Sequence, residues 1–299
     1  MESLAVLGIA LAIDRLGEPP ARFHPVCWLG TLIGSLTRLA PPDPRRQLAH
    51  GVLIATVPGI AAALTTAILE RLAGQTAWPA QCISRAILLS WTFSLAGLER
   101  AVFQVQTDLN RGDVTAARSS VMALVSRSTD ELTEPEIAAA SIESLAENAS
   151  DSIVGPLLWW RIGGLPAAAA YRAINTADAM VGYHGRYEYL GRVTARLDDL
   201  MNLLPARLTG AAICLASLSP RALRIMLQEH GRTESPNAGW PMAAMAGALQ
   251  CRLSKAGHYS LGASFTKPSS GDITRAVTVF RRATILAIFA ILFIPDRPR

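Results

Sequence analysis

The sequence predicts an all-α, polytopic integral membrane protein, with about four or five membrane helices and a polar helical region among them. Three observations carry that prediction. Of the 299 residues, 51% are hydrophobic and only 17% are charged. An ordinary soluble domain carries about 25% charged residues, so there is too little charge to cover a water-facing globule of this size. Gly51 to Leu69 runs without a charge between Arg45, Arg46 and His50 on one side and Glu70 and Arg71 on the other. At the helical rise that run spans about 28 Å, close to the hydrocarbon thickness of a bilayer. Finally, Ala-rich and Leu-rich segments dominate and Asn-Gly turns are lacking, which favours helices over strands. The same totals exclude a disordered chain and a disulfide scaffold.

The elements follow in order. Met1-Glu2-Ser3-Leu4 lacks the basic start of a cleaved signal, so the first apolar run, Leu4 to Ile13, is expected to be retained. Gly51 to Leu69 is the clearest span. Pro58 inside it is tolerable in a membrane helix whose neighbours satisfy the freed carbonyl. Ala86 to Leu98, Leu208 to Pro220 and Ala283 to Pro295 are shorter. Such runs read equally as core helices, re-entrant segments or short spans. Snorkelling Arg85, Arg207 and Arg282 at their ends would extend them across. Ile153 to Tyr171 carries Arg161 near its middle with Pro156 and Pro166 inside, which suits a broken or re-entrant element. Arginines flank both ends of most spans, so charge bias sets no orientation.

The formal net charge is +5, with 26 Arg against 2 Lys, Lys255 and Lys267. These arginines are scattered and aromatics make up only 6%, unlike a nucleic-acid-binding patch, so no nucleic-acid partner is expected. Isolated Arg suits bidentate recognition of phosphate or carboxylate, or anchoring at a membrane surface, although GC-rich codon usage is the plainer cause of the bias. Cys27, Cys82, Cys214 and Cys251 stand far apart, which argues against a zinc site and a disulfide framework. There is no Gly-x-x-x-x-Gly-Lys-Ser/Thr loop, no Gly-x-Gly-x-x-Gly after a strand, no Gly-x-Ser-x-Gly elbow and no His-Glu-x-x-His.

Polar chemistry concentrates between residues 108 and 207. On a helix Glu143, Glu147 and Asp151 recur at i, i+4 and i+8 and form one acidic stripe, with Ile142, Leu145, Ala146, Ala149 and Ile153 on another face. The stripe reads either as the solvated side of an amphipathic helix or as a site for a metal or an amine. No interleaved cation relieves its repulsion, and Mg²⁺ held by carboxylates with substrate phosphate would. Arg172, Asn175 and Asp178 share a second face. They either neutralise one another or set an anion-binding Arg beside an activating carboxylate. Adjacent Asp198 and Asp199 before an apolar run are costly unless paired, with Arg196, Arg207 or a metal. In Ser235-Pro236-Asn237-Ala238-Gly239-Trp240-Pro241, Asn237 and Gly239 would permit left-handed backbone and expose amide donors at a helix start. A plain helix-entry turn explains that loop equally well.

Several of these runs occur together. Asp14…Gly17-Glu18-Pro19-Pro20…His24-Pro25-Val26…Gly30 is followed by Val125-Ser126-Arg127 and by Ile142-Glu143-Ser144-Leu145-Ala146-Glu147-Asn148…Asp151. Then come Ala170-Tyr171-Arg172-Ala173-Ile174-Asn175-Thr176…Asp178…Met180-Val181-Gly182-Tyr183, Ala195-Arg196-Leu197-Asp198-Asp199…Asn202…Pro205-Ala206-Arg207-Leu208-Thr209, and the Ser235–Pro241 loop. In this order, from about residue 10 to about 262, they resemble the CbiB/CobD family of cobalamin biosynthesis, the adenosylcobinamide-phosphate synthases. Two departures stand out: Ser128, with Asp130 two further on, where an acidic residue is expected after the Arg, and Met242 where Glu is expected.

The resemblance implies a multi-pass enzyme of the cell (inner) membrane. It further implies ATP-dependent amide ligation of adenosylcobyric acid to aminopropanol or its O-phosphate, with Mg²⁺ and ATP required. On that basis Glu143, Glu147, Asp178, Asp198 and Asp199 are catalytic candidates, and Glu143, Glu147 and Asp151 the metal candidates. Arg127, Asn148, Arg172, Asn175, Tyr183, Asn202, Arg207 and Asn237 are expected to bind substrate. A single membrane-embedded domain, 1–299, is expected, with N-terminal membrane helices over 1–98, the polar helical catalytic region over 99–207 and C-terminal membrane helices over 208–299. The site is expected to face the cytoplasm, where ATP and corrin precursors are. The partners are the lipid bilayer, a homo-oligomer or other enzymes of the pathway. The rival expectation is a non-catalytic corrinoid-binding or transport protein, or an AmpE-like sensor.

Overall fold

A computed structural model of the chain describes residues 2–182 and 187–295. It is mainly helical: α1 (Glu2–Leu16), α2 (Pro25–Arg38), α3 (Pro44–Ala73), α4 (Trp78–Ser90), α5 (Leu95–Asn110), α6 (Val114–Val121) and α7 (Glu134–Ala149) come first. A π-helical turn, Ser150–Val154, leads into α8 (Gly155–Val181), α9 (Arg192–Met201), α10 (Leu203–Ser217), α11 (Pro220–Glu229), α12 (Gly239–Leu249) and α13 (Ser270–Leu292). A small antiparallel hairpin, β1 (Leu253–Lys255) and β2 (Tyr259–Leu261), lies between α12 and α13. It departs from the all-α expectation. Leu253 pairs with Leu261 and Lys255 with Tyr259, and the turn is made by Gly257 at φ +75°, a conformation glycine adopts without a side-chain clash.

The chain divides into two compact units. The first comprises Met1–Ser94, Gly155–Asn202 and Ile291–Arg299. Its long helix, α3, starts at Asp43, whose carboxylate accepts the Arg46 amide at 3.0 Å, with Pro44 at the first turn where no donor is needed. α3 packs against α8, and Ile33, Ile54, Ala177, Val181 and Leu190 form a buried core there. Gly51 has no room for a side chain, since a Cβ would lie 2.3 Å from the Leu190 carbonyl oxygen. α8 is kinked at Gly164, φ +74°, two residues before Pro166. The broken element expected there is present, and Arg161 caps its surroundings by donating to the Ile294 carbonyl at 2.6 Å.

The second unit comprises Leu95–Val154 and Leu203–Ala290. Its central helix is α7, whose start is fixed by Glu136, a carboxylate that accepts from the Thr133 amide at 2.9 Å and from its hydroxyl at 2.7 Å. Every residue from Ile137 to Ala146 is buried, so α7 is a core helix rather than an amphipathic one with a solvated acidic side.

By length and composition, two described segments could cross a membrane. One is α3, and the other is Trp78–Asn110, which holds α4 and α5. α9 with α10 makes a third if that broken pair is one span. That is fewer than the four or five expected. α1 has only 15 residues, and α13 carries Asp272, Arg275, Arg281 and Arg282.

Candidate functional site

In the second unit the site is built around Glu143. Its side chain is 5% exposed, and its Oε1 has no hydrogen-bond partner among the described residues. Arg127 approaches the other carboxylate oxygen at 3.8 Å. Tyr259 and Lys255, delivered by the hairpin, also act on it, and Glu147 adds a like charge one turn along α7. Burial pushes the Glu143 carboxyl up from 4.5 to about 7, against the opposing pull of Arg127. The Tyr259 phenol is pushed up, by burial first and then by the Glu143 and Glu147 charges. A carboxyl that holds its proton until near-neutral pH can take one from an ammonium group and release it again.

Tyr259 and Lys255 were not singled out in the sequence. The signal for them was a short Leu-x-Lys…Tyr-x-Leu alternation around Gly257, which is weak against so much helix. Met242, the departure from the expected Glu, places its sulfur 3.8 Å from the Tyr259 hydroxyl, so that substitution falls beside a residue that acts on Glu143. Ser128 donates to the Asp130 carboxylate at 2.9 Å, so the acid two residues on stands next to the position where one was expected.

Glu147, Asn148 and Asp151 are half-buried. α7 ends at Ala149 and the π-helical turn carries Asp151, so the i, i+4, i+8 stripe does not continue on a regular α-helix. Among the described residues no three of His, Cys, Asp and Glu gather closely enough to hold a metal ion. Asn148 donates to the Ser144 carbonyl at 3.0 Å and accepts from Ser152 at 3.0 Å, which holds it within the helix.

Arg207 forms a second group in the same unit. It donates to the Asn237 side-chain oxygen at 3.2 Å and to the Leu203 carbonyl at 2.7 Å. Its guanidinium lies 4.8 Å from the Trp240 ring centre, and Trp240 stacks on His230 at 4.0 Å. Neither Asn237 nor Gly239 has positive φ. Gly239 is required by close approach instead, because a Cβ there would meet the His230 carbonyl oxygen at 1.9 Å. Asn237 is buried and spends its carboxamide oxygen on Arg207.

In the first unit the expected residues form a hydrogen-bonded chain. Arg172 donates to Asn175 at 3.5 Å, and Asn175 to Asp198 at 3.3 Å. Asn202 donates to the other Asp198 oxygen at 2.9 Å, and Tyr171 to Asn202 at 2.6 Å. The buried Asp198 is thus held by two amides, not by an arginine. Arg196 lies 4.0 Å from Asp199 instead, and Arg207 belongs to the Asn237 group. Asp178 is half-buried beside Gly182, where a Cβ would lie 2.0 Å from its carboxylate oxygen. His24, at the start of α2, lies 3.9 Å from Glu18, and burial lowers its pKa, with the Arg172 charge adding to that. Tyr183 lies outside the described residues.

The sequence is similar to known proteins along most of its length. The family model for CobD/Cbib protein matches residues 7–288. A "Cobalamin biosynthesis protein CobD" of Dehalococcoides mccartyi is 41% identical over 270 residues, covering 88% of this chain and 87% of that one. One of Rhodobacter capsulatus is 40% identical over 299 aligned positions, covering 95% and 94%. One of Klebsiella pneumoniae is 35% identical over 276, covering 88% and 85%. No solved structure matches the chain. With the family model spanning nearly the whole sequence, the chain belongs to the CobD/CbiB family.

Proposed function

We propose that this protein is an adenosylcobinamide-phosphate synthase of cobalamin biosynthesis. It is a membrane ligase that uses ATP to join adenosylcobyric acid to aminopropanol or its O-phosphate through an amide bond. Membership of the family and the names of its relatives support the pathway. The observation that carries the chemistry is the buried Glu143 carboxyl, with its pKa of about 7, beside Arg127.

Amide formation makes two demands. A carboxylate does not accept an amine until it is activated, so its oxygen attacks the γ-phosphorus of ATP to form an acyl phosphate and ADP. The amine must then lose a proton as its nitrogen attacks the acyl carbon and phosphate leaves. Glu143 is the base that takes that proton. Arg127 and Arg207 are the anion-binding side chains of the second unit and Arg172 that of the first, suited to phosphate and to the corrin carboxylate. Asp178 and Asp199 are further carboxylates of the first unit, where Asp198 positions Asn175 and Asn202.

Glu147 and Asp151 are the donors this chain offers Mg²⁺, which when bound neutralises phosphate charge. One or two carboxylates are the protein ligands Mg²⁺ commonly takes, and its remaining ligands would come from water and substrate phosphate. The enzyme sits in the inner membrane with its site towards the cytoplasm.

The test is reconstitution. Purified protein in lipid, given adenosylcobyric acid, aminopropanol phosphate, ATP and Mg²⁺, is expected to form cobinamide phosphate and ADP. Corrinoid binding with no product would assign the chain to corrinoid carriage or sensing instead.

A further inference from the structure

The first unit contains a cavity of about 240 Å³ between α2, α3, α4 and α8. Leu29, Leu32, Leu69, Leu88 and Trp91 are among its walls, together with the small side chains Ala61, Ala62 and Ala169. Arg172 lines it too, with its Nη1 donating to Asn175 at 3.5 Å. Its other polar walls are Thr65, Thr66 and Thr92, and the Thr66 and Thr92 hydroxyls already donate to the Ala62 and Leu89 carbonyls, which leaves water few partners there.

Its surroundings say what covers it. α3 supplies one wall, and only 22% of its most apolar stretch is buried within the protein. Ile60, Leu64 and Ile68 point outward from it at 57%, 59% and 60% exposure. Two lining residues, Leu69 and Trp28, are themselves 40% and 55% exposed, so the cavity opens onto that same apolar flank. Trp28 donates to the Arg22 carbonyl at 2.9 Å, and the Arg22 guanidinium lies 4.7 Å from the ring centre of the exposed Phe23. An exposed cluster of tryptophan, phenylalanine and arginine beside an apolar flank is the composition found at the level of lipid head groups.

We infer that this cavity is a phospholipid site: one acyl chain lies against Leu88, Trp91 and the α3 wall, and Arg22, whose carbonyl accepts from the lining Trp28, meets the lipid phosphate. The chain gains dispersion contacts with walls that would otherwise face a void, and the charge on Arg22 complements the phosphate. The site rests on α3 lying in a bilayer, and it shares one wall residue, Arg172, with the proposed substrate-binding set.

Brominated acyl chains quench tryptophan on contact, which gives a direct test with the full chain in vesicles of phosphatidylglycerol. Trp91 emission, taken as wild type minus Trp91→Phe, is expected to be mostly lost when the chains are brominated. Two cavity-filling variants, Ala62→Phe and Ala169→Leu, are expected to restore it. A Leu64→Trp reporter on the outer face of α3 should be quenched in every case. Quenching of that reporter with Trp91 unaffected would overturn the site while leaving α3 in the membrane. A reporter that is not quenched would overturn both. Loss of adenosylcobyric acid binding in the two filling variants would assign the cavity to the substrate and overturn the lipid site.

Discussion

The two units bury polar groups in opposite ways. In the first, the Tyr171–Asn202–Asp198–Asn175–Arg172 chain gives each oxygen of the buried Asp198 an amide donor. In the second, Glu143 is as deeply buried, yet one of its oxygens has no hydrogen-bond partner among the described residues and its cation stands 3.8 Å off. A fully satisfied network holds helices in one arrangement. An under-satisfied carboxyl keeps its proton into the neutral range, where it can exchange it. The difference sets Asp198, whose two amide donors fix it in place, against Glu143, whose free oxygen is open to a substrate proton.

The comparison breaks most visibly at Glu147. Glu147→Gln is expected to lower cobinamide phosphate formation by about 10²- to 10⁴-fold, while the protein still fractionates with membranes. Near-normal turnover would remove Glu147 from the site.

Stability should carry the sign of the Glu143 burial. Its folded pKa of about 7 lies above the ordinary 4.5, so between those values the folded state binds more protons than the unfolded one. Stability is therefore highest at the acid end of that window and falls as pH rises through it, by on the order of 3 kcal/mol. Thermal unfolding of Glu143→Gln should lack that component of the pH dependence. A wild type whose stability rises between pH 5 and 7 at this site would reverse the assignment.

In the first unit, Asn202→Ala strips a donor from Asp198 and an acceptor from Tyr171. The expected cost is about 1–3 kcal/mol for each group left buried without a partner, read as a lower unfolding temperature, with activity lost only in proportion to folded protein. A large rate loss at full stability would make this network part of the chemistry. The smallest effect is expected at Tyr259. Its hydroxyl favours the charged form of Glu143, so Tyr259→Phe should move the acid limb of the rate profile to higher pH, while a shift to lower pH would contradict that influence.

Much of this was legible in the sequence because it is local. Residues 51–69 announce a span by composition, Pro166 signals a broken α8 whose kink falls at Gly164, and Arg172 and Asn175 meet because three residues bring them to one helix face. What the sequence concealed is set by tertiary packing. The acidic pattern of α7 looks the same whether that face meets water or protein, and only the neighbours covering Ile137–Ala146 decide it. The hairpin that brings Tyr259 and Lys255 to Glu143 is three residues a strand, too short for its alternation to stand out. Asp198 was expected to pair with Arg196, Arg207 or a metal, and the structure gives it two amide donors, Asn175 and Asn202.

The most direct test of the account is the pH dependence of kcat/KM for the reconstituted protein, with and without Glu143. The wild type is predicted to gain activity as pH rises through a limb near 7, and Glu143→Gln to lose that limb together with about 10²- to 10⁴-fold in rate. A Glu143→Gln protein with the same limb and a near-normal rate would contradict it.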